Sequence, residues 1–66
     1  MNDHTRFVAM SAKALIDWYG IEAAEIAADR AATKFKYGDP EGARIWLAVR
    51  NEIERMQTLD RGAMRA

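Results

Sequence analysis

The sequence predicts an all-α protein, a small three-helix unit. Apolar residues recur at the three- and four-residue spacing of helices along the chain, and no stretch alternates apolar and polar residues as a half-buried strand does. Helix-breaking residues divide this pattern at Gly20 and again at Gly38, which is followed closely by the single proline. We therefore expect three helices, at about residues 4–19, 21–37 and 40–58.

The composition predicts one domain with a thin core. Half of the 66 residues are hydrophobic, but 13 residues are alanine, and there is no cysteine to supply a disulfide or a thiolate zinc site. Ordering a chain costs roughly 1.5 kcal/mol per residue, which apolar burial in so short a chain only just offsets. We expect a domain over residues 1–60, a flexible tail over 61–66, and stabilisation by association into a homo-oligomer, most simply a dimer.

Helix 1 is amphipathic and ends at Gly20, which is placed to adopt the left-handed conformation of a helix stop. Its polar side carries Arg6, Lys13 and Asp17. At 100° per residue its apolar face consists of Phe7, Val8, Ser11, Ala14, Leu15 and Trp18.

Helix 2 is dominated by alanine, which allows neighbouring helices to approach closely. Ile21 and Phe35 are expected to anchor the two ends of its apolar face, whereas Ile26 falls off that face. The face consists of Ile21, Ala24, Ala28, Ala31 and Phe35.

The clearest local signal is the turn before helix 3. Gly38 is suited to end helix 2, Asp39 to cap helix 3, and Pro40 to occupy its first position. A tight turn here makes helices 2 and 3 an antiparallel hairpin, on which helix 1 packs either from its own chain or from a partner's. The expected apolar stripe of helix 3 is Ile45, Trp46, Val49, Ile53 and Met56.

Candidate catalytic and metal-binding residues are isolated from the partners that such chemistry needs. His4 is the only histidine, Ser11 has no base near it in sequence, and Glu22, Glu25 and Asp29 lack the histidines of a helical di-metal site. We interpret these as an exposed or capping histidine, a small residue for helix contact and a solvated acidic face. The sequence predicts no enzyme, no cofactor and no metal.

Four residues are candidates for an interface. Trp18 and Trp46 fall on apolar faces, so each is expected in the core, although aromatic residues also anchor interfaces. Leu47 projects from the polar face of helix 3, and it would form a contact surface together with Ile26 and Leu59 if these proved exposed beside it. The candidate interface is thus Ile26, Leu47, Leu59 and Trp18.

Two resemblances rest on the turn. Residues 7–58 have an apolar helix ending in Tyr-Gly, an alanine-rich helix, and then Gly-Asp-Pro-Glu-Gly-Ala-Arg-Ile-Trp. This layout resembles small bacterial helical proteins of unknown function that have a Gly-Asp-x-x-Gly turn followed by tryptophan. The resemblance implies a bacterial origin and a three-helix fold, and it transfers no site residues. Ala31-Ala32, Phe35 and Gly38-Asp39 are more weakly similar to a single tetratricopeptide hairpin, without its 34-residue repeat.

Net charge is zero, and each third of the chain is separately neutral, which disfavours a phosphate-binding surface. We expect a non-enzymatic protein-interaction or regulatory module, cytoplasmic because no signal peptide or membrane span is evident. An accessory subunit that binds another protein is also possible. The alternative is a nucleic-acid-binding regulator, which would use the arginines of helix 3 and the tail, namely Arg44, Arg50, Arg55, Arg61 and Arg65.

Overall fold

The computed structural model describes the backbone of residues 3–65 and the side chains of residues 4–59. Within those residues the chain is all-α, and none of them lies in a strand. The elements are α1 (Asp3–Tyr19), a 3-10 turn (Gly20–Glu22), α2 (Ala23–Lys36) and α3 (Pro40–Arg65).

The first two helices are joined without a loop. Gly20 has a φ of 59°, and the 3-10 turn that begins there leads directly into α2. α1 and α2 therefore form one bent helical segment and α3 forms a second, so the expectation of three separate helices is met only in part. The bend also moves the start of the second α-helix from the predicted Ile21 to Ala23.

The third helix is longer than its sequence predicts. We expected it to end near Thr58, but α3 continues to Arg65. Gly62 is the only strong helix breaker in this stretch, and one glycine in a helix interior costs only about 1 kcal/mol relative to alanine. The expected flexible tail over 61–66 is thus helical in its backbone as far as Arg65, and Ala66 lies outside the described residues.

Two contacts fix the directions of the helices. The Nε2 of Gln57, late in α3, donates a hydrogen bond of 2.9 Å to the carbonyl oxygen of Gly20, which precedes α2. Early in α3, the ring of Trp46 meets the ring of Phe7 near the start of α1. α3 therefore runs antiparallel to α2 and in the direction of α1, and it packs against both, whereas α1 and α2 meet each other least.

The buried core is small and rich in alanine. Among the described side chains, only Leu15, Val49 and Ile53 are both larger than alanine and buried. The other buried residues are Ala12, Ala23, Ala27, Ala31 and Ala43. Helix axes approach closely only where the side chains between them are small, so alanines occupy the contact lines and larger residues lie along their edges.

This packing overturns part of the predicted faces of the first two helices, although Leu15 and Ala31 are buried as expected. Trp18, Ile21 and Phe35 were expected to be buried, but they are 80%, 84% and 70% exposed. The fully buried residues of these helices include Ala12 in α1 and Ala23 in α2, which lie on faces next to the predicted ones. Hydrophobic size was the wrong guide here, because the small residues rather than the large ones mark where the helices touch.

The molecule is flat and exposes more surface than its mass requires. Its extents are 43 × 28 × 16 Å, and its radius of gyration is 12.4 Å, compared with about 11 Å for a compact domain of this length. The accessible surface is 5227 Å², whereas a compact monomer of 7.5 kDa exposes about 4,200 Å². The three helices thus bury less of one another than a compact domain would.

Candidate functional site

Large apolar side chains lie mainly on the outside of the molecule. In the described part of the chain nine of them are exposed, against three that are buried. The exposed set is Phe7, Met10, Trp18, Tyr19, Ile21, Phe35, Tyr37, Leu47 and Leu59. Exposed apolar residues mark an interaction site where they form a contiguous patch, whereas single exposed ones are ordinary.

The largest exposures on α1 and in the 3-10 turn lie at the bend. Trp18 and Ile21 are 80% and 84% exposed, and Tyr19 lies between them at 39%. We call these three residues the hinge cluster. They are neighbours in sequence at the bend, where the 3-10 turn buries none of its own residues. The sequence carried a signal for this cluster, because the breaking glycine stands directly between apolar residues.

A groove opens where α1 and α2 diverge from the bend, and Trp46 of α3 forms its floor. The groove has a volume of about 650 Å³, and Phe7, Ile26, Arg30 and Lys34 are among its lining residues. The rings of Phe7 and Trp46 meet edge to face, with centroids 5.8 Å apart and planes at 80°. Trp46 is half-buried here, so it is neither fully in the core nor free on the surface.

The groove carries positive charge next to its aromatic floor. The guanidinium carbon of Arg30 lies 5.2 Å from the ring centroid of Trp46, in cation–π geometry, which contributes about 0.5–1 kcal/mol at an exposed site. Lys34 follows one turn later along the same wall, and Asp29 contributes one acidic group. Neither Arg30 nor Lys34 has a carboxylate within 4.0 Å among the described residues. Sequence reasoning missed Arg30, because no local pattern links it to a tryptophan on another helix.

The four candidate interface residues do not assemble into one surface on a single chain. Trp18 belongs to the hinge cluster, and Ile26 is half-buried against the core rather than exposed. Leu47 and Leu59 are 38% and 61% exposed. At 100° per residue their positions on α3 differ by about 120°, which places them on different flanks of the helix. The contact surface expected from Ile26, Leu47 and Leu59 is therefore not formed within one molecule.

The turn between α2 and α3 is built from the residues that the sequence singled out. Gly38 has a φ of 76°, and its amide donates to the carbonyl of Phe35 at 3.1 Å. The amide of Asp39 donates to the carbonyl of Lys34 at 2.8 Å, which completes a Schellman motif. Asp39 then caps α3, because its Oδ1 accepts a hydrogen bond of 2.9 Å from the amide of Gly42.

The residues considered for chemistry stay apart. His4 is exposed near the start of α1, and Ser11 is half-buried beside the hinge cluster. Glu22, Glu25 and Asp29 are all exposed. Within the described residues, no three histidine, cysteine or acidic side chains are grouped so that they could hold a metal ion.

The described arginines of α3 are engaged or dispersed. Arg55 donates two hydrogen bonds to the Glu52 carboxylate, of 3.0 and 2.6 Å, and these lower the pKa of Glu52 below its ordinary value. Arg50 donates to Asn51 at 3.1 Å. Arg44 is exposed, and the side chains of Arg61 and Arg65 lie outside the described residues.

Comparison of the chain with protein-family models, with curated proteins and with solved structures gives no match. None of the described helices combines the length and the apolar character that crossing a bilayer requires. What the chain does must therefore be argued from its own surface.

Proposed function

We propose that the protein is a non-enzymatic protein-interaction or regulatory module that works as a homodimer of three-helix units. The observation that supports this most strongly is the surface excess. The chain exposes 5227 Å², about 1,000 Å² more than a compact monomer of its mass. That excess is close to the roughly 800 Å² per partner that a standard protein–protein interface buries.

The chemistry of the exposed surface supports the same proposal. Aromatic residues are enriched in the cores of interfaces, and Trp18 and Tyr19 are both exposed. Only three side chains larger than alanine are buried in the described part of the chain, which leaves the isolated fold with little apolar burial to offset the entropy of ordering. A second copy would supply the missing burial, because association adds apolar contact without lengthening the chain.

The setting we propose is the cytoplasm of a bacterium, in keeping with the resemblance to small bacterial helical proteins and with the absence of cysteine. A different protein could cover the same surface, in which case the chain would be an accessory subunit. The nucleic-acid alternative has less support, because Arg55 is neutralised by Glu52. Binding to duplex DNA that weakens steeply with salt would favour that alternative.

Sedimentation equilibrium of the purified chain at micromolar concentrations tests the proposal. We expect a reversible equilibrium between one and two chains, weakened at least tenfold by Trp18→Ala, which removes the most exposed tryptophan. Tyr37→Ala is the matched control, because Tyr37 is a similarly exposed aromatic residue at the other end of α2, and it should leave the equilibrium unchanged. A chain that stays monomeric and unfolds cooperatively at every concentration would contradict the proposal.

A further inference from the structure

We propose that the dimer forms by exchange of α1 between two copies, with Gly20 as the hinge. In the exchanged form, residues 3–36 straighten into one continuous helix, and α1 packs on α3 of the partner. This inference rests on the proposed function, because it specifies how the same chain self-associates. Two independent features of the bend support it.

The first feature is the phase of the buried residues on the two sides of the bend. In α1 the side chains facing α3 include Val8, Ala12 and Leu15, and in α2 they include Ala23 and Ala27. If the helix continued without interruption at 100° per residue, these positions would fall within an arc of about 120°. The straightened helix would thus carry one continuous apolar stripe. Its α2 half would pack along α3 of its own chain, and its α1 half would pack along α3 of the partner.

The second feature is how little holds the bend closed. Neither the 3-10 turn nor the start of α2 has a side-chain cap, and the turn buries none of its residues. The one side-chain hydrogen bond recorded at Gly20 is that from Gln57, at 2.9 Å. A connection this short, which contains a left-handed residue, favours the exchange of α1 between two chains. Opening it removes the reversal of the chain at Gly20. Every contact between α1 and α3 is kept, because α1 then makes it with α3 of the partner.

Gly20→Ala is the first test. A β-carbon at Gly20 meets no atom within 4 Å, so its effect comes from the backbone alone. Alanine disfavours the left-handed bend and favours the continuous helix. Each hinge should contribute about tenfold, so the dissociation constant of the dimer should fall by roughly 100-fold. The matched variant inserts Gly-Ser-Gly-Ser between Tyr19 and Gly20, which lets α1 fold back without strain and should shift the chain to monomer.

The second test measures the shape of the chain directly. Because the sequence has no cysteine, Arg6→Cys and Lys36→Cys introduce two unique sites for spin labels. The doubly labelled chain is diluted with excess unlabelled chain, so that only distances within one chain are recorded. A distance of about 45 Å in the dimer, the length of 30 helical residues, is the expected result.

The outcomes separate the two proposals. A dimer in which the two labels are much closer than about 45 Å, and whose affinity neither substitution nor insertion changes, overturns the exchange and leaves the dimer standing. A chain that sediments as a monomer, with or without Gly20→Ala, overturns both. A long distance together with the predicted changes in affinity supports both.

Discussion

The two junctions of this protein reverse the chain in different ways. Between α2 and α3, the left-handed Gly38 is accompanied by two Schellman hydrogen bonds and by the Asp39 cap on the amide of Gly42. Between α1 and α2, the left-handed Gly20 has no side-chain cap on either side. The first turn is held by neighbours in sequence, whereas the second is held by packing of α1 on α3.

This difference shows which of the two turns can open more readily in a chain with a small core. The Asp39 turn stays closed whatever α1 does, because its hydrogen bonds all lie within residues 33–43. The bend at Gly20 has the turn's backbone hydrogen bond from the amide of Ala23 to the carbonyl of Gly20 and the bond from Gln57. It otherwise depends on the packing of α1 against α2 and α3.

The core beneath both junctions should give the largest effect. Ile53 is fully buried and packs with residues of all three helices. Ile53→Ala should destabilise the fold by about 2–5 kcal/mol, enough to abolish cooperative thermal unfolding in so small a domain. Circular dichroism during heating measures this. Leu59→Ala on the same helix is the control, because Leu59 is 61% exposed, and a similar loss there would contradict the assigned core.

The same substitution at Gly38 and at Gly20 tests the difference between the two turns most directly. Gly38 and Gly20 have φ values of 76° and 59°, and a β-carbon at either would meet no atom within 4 Å. Gly38→Ala should therefore cost about 1–2 kcal/mol of backbone strain and leave the oligomeric state unchanged. Gly20→Ala should instead favour the dimer. Equilibrium denaturation and sedimentation of both variants decide this, and identical behaviour would remove the distinction between the junctions.

The cap on α3 should contribute next. Asp39→Ala removes the acceptor for the amide of Gly42 and should destabilise the fold by about 1 kcal/mol, measured by urea denaturation. Asp39→Asn keeps a capping oxygen, so it should retain most of the stability. If the alanine and asparagine variants were equally destabilised, the loss would be one of charge rather than of the hydrogen bond.

Gly42→Ala should change stability little, although it places alanine in a helix. A β-carbon there would lie 2.9 Å from Cγ of Asp39 and closer still to its Oδ2, so the capping side chain would have to move. The helical preference of alanine over glycine, about 1 kcal/mol, is then offset by a weakened cap. In an Asp39→Ala background the same change should stabilise by about 1 kcal/mol. Additive effects of the two substitutions would show that they do not interact.

The smallest expected effect is a pH dependence of the stability, which arises from a pair of side chains on α3 away from both junctions. The hydrogen bonds from Arg55 lower the pKa of Glu52 from its ordinary value of 4.5. The ionised pair therefore adds a small stabilisation above about pH 4.5, which is lost as the pH falls through the lower pKa of the folded state. Denaturation midpoints of the wild-type chain and of Glu52→Gln, which lacks this titration, should be measured across that range. The wild-type chain should be slightly more stable than the variant above about pH 4.5, and this difference should disappear in acid.

The features that could be predicted from the sequence are those built by interactions between residues close in the chain. The Gly38-Asp39-Pro40 turn was predictable because every hydrogen bond that builds it joins residues close in sequence. The stripe of α3 was predictable at Val49 and Ile53, where branched residues leave little choice of face. The faces of α1 and α2 were predicted only in part: Leu15 and Ala31 are buried, but Trp18 and Phe35 are exposed, because an alanine-rich helix can pack on several faces.

The sequence by itself determined the helical character of the chain, the closed turn at Gly38 and a surplus of apolar side chains over buried positions. These follow from periodicity, local hydrogen bonding and composition, which do not depend on distant residues. Only the tertiary structure decided that the helices touch along alanines, that Arg30 lies beside Trp46, and that Trp18 and Ile21 at the bend are among the exposed apolar residues. Those features depend on which residues of separate helices come within contact distance, and the spacing within one helix does not encode this.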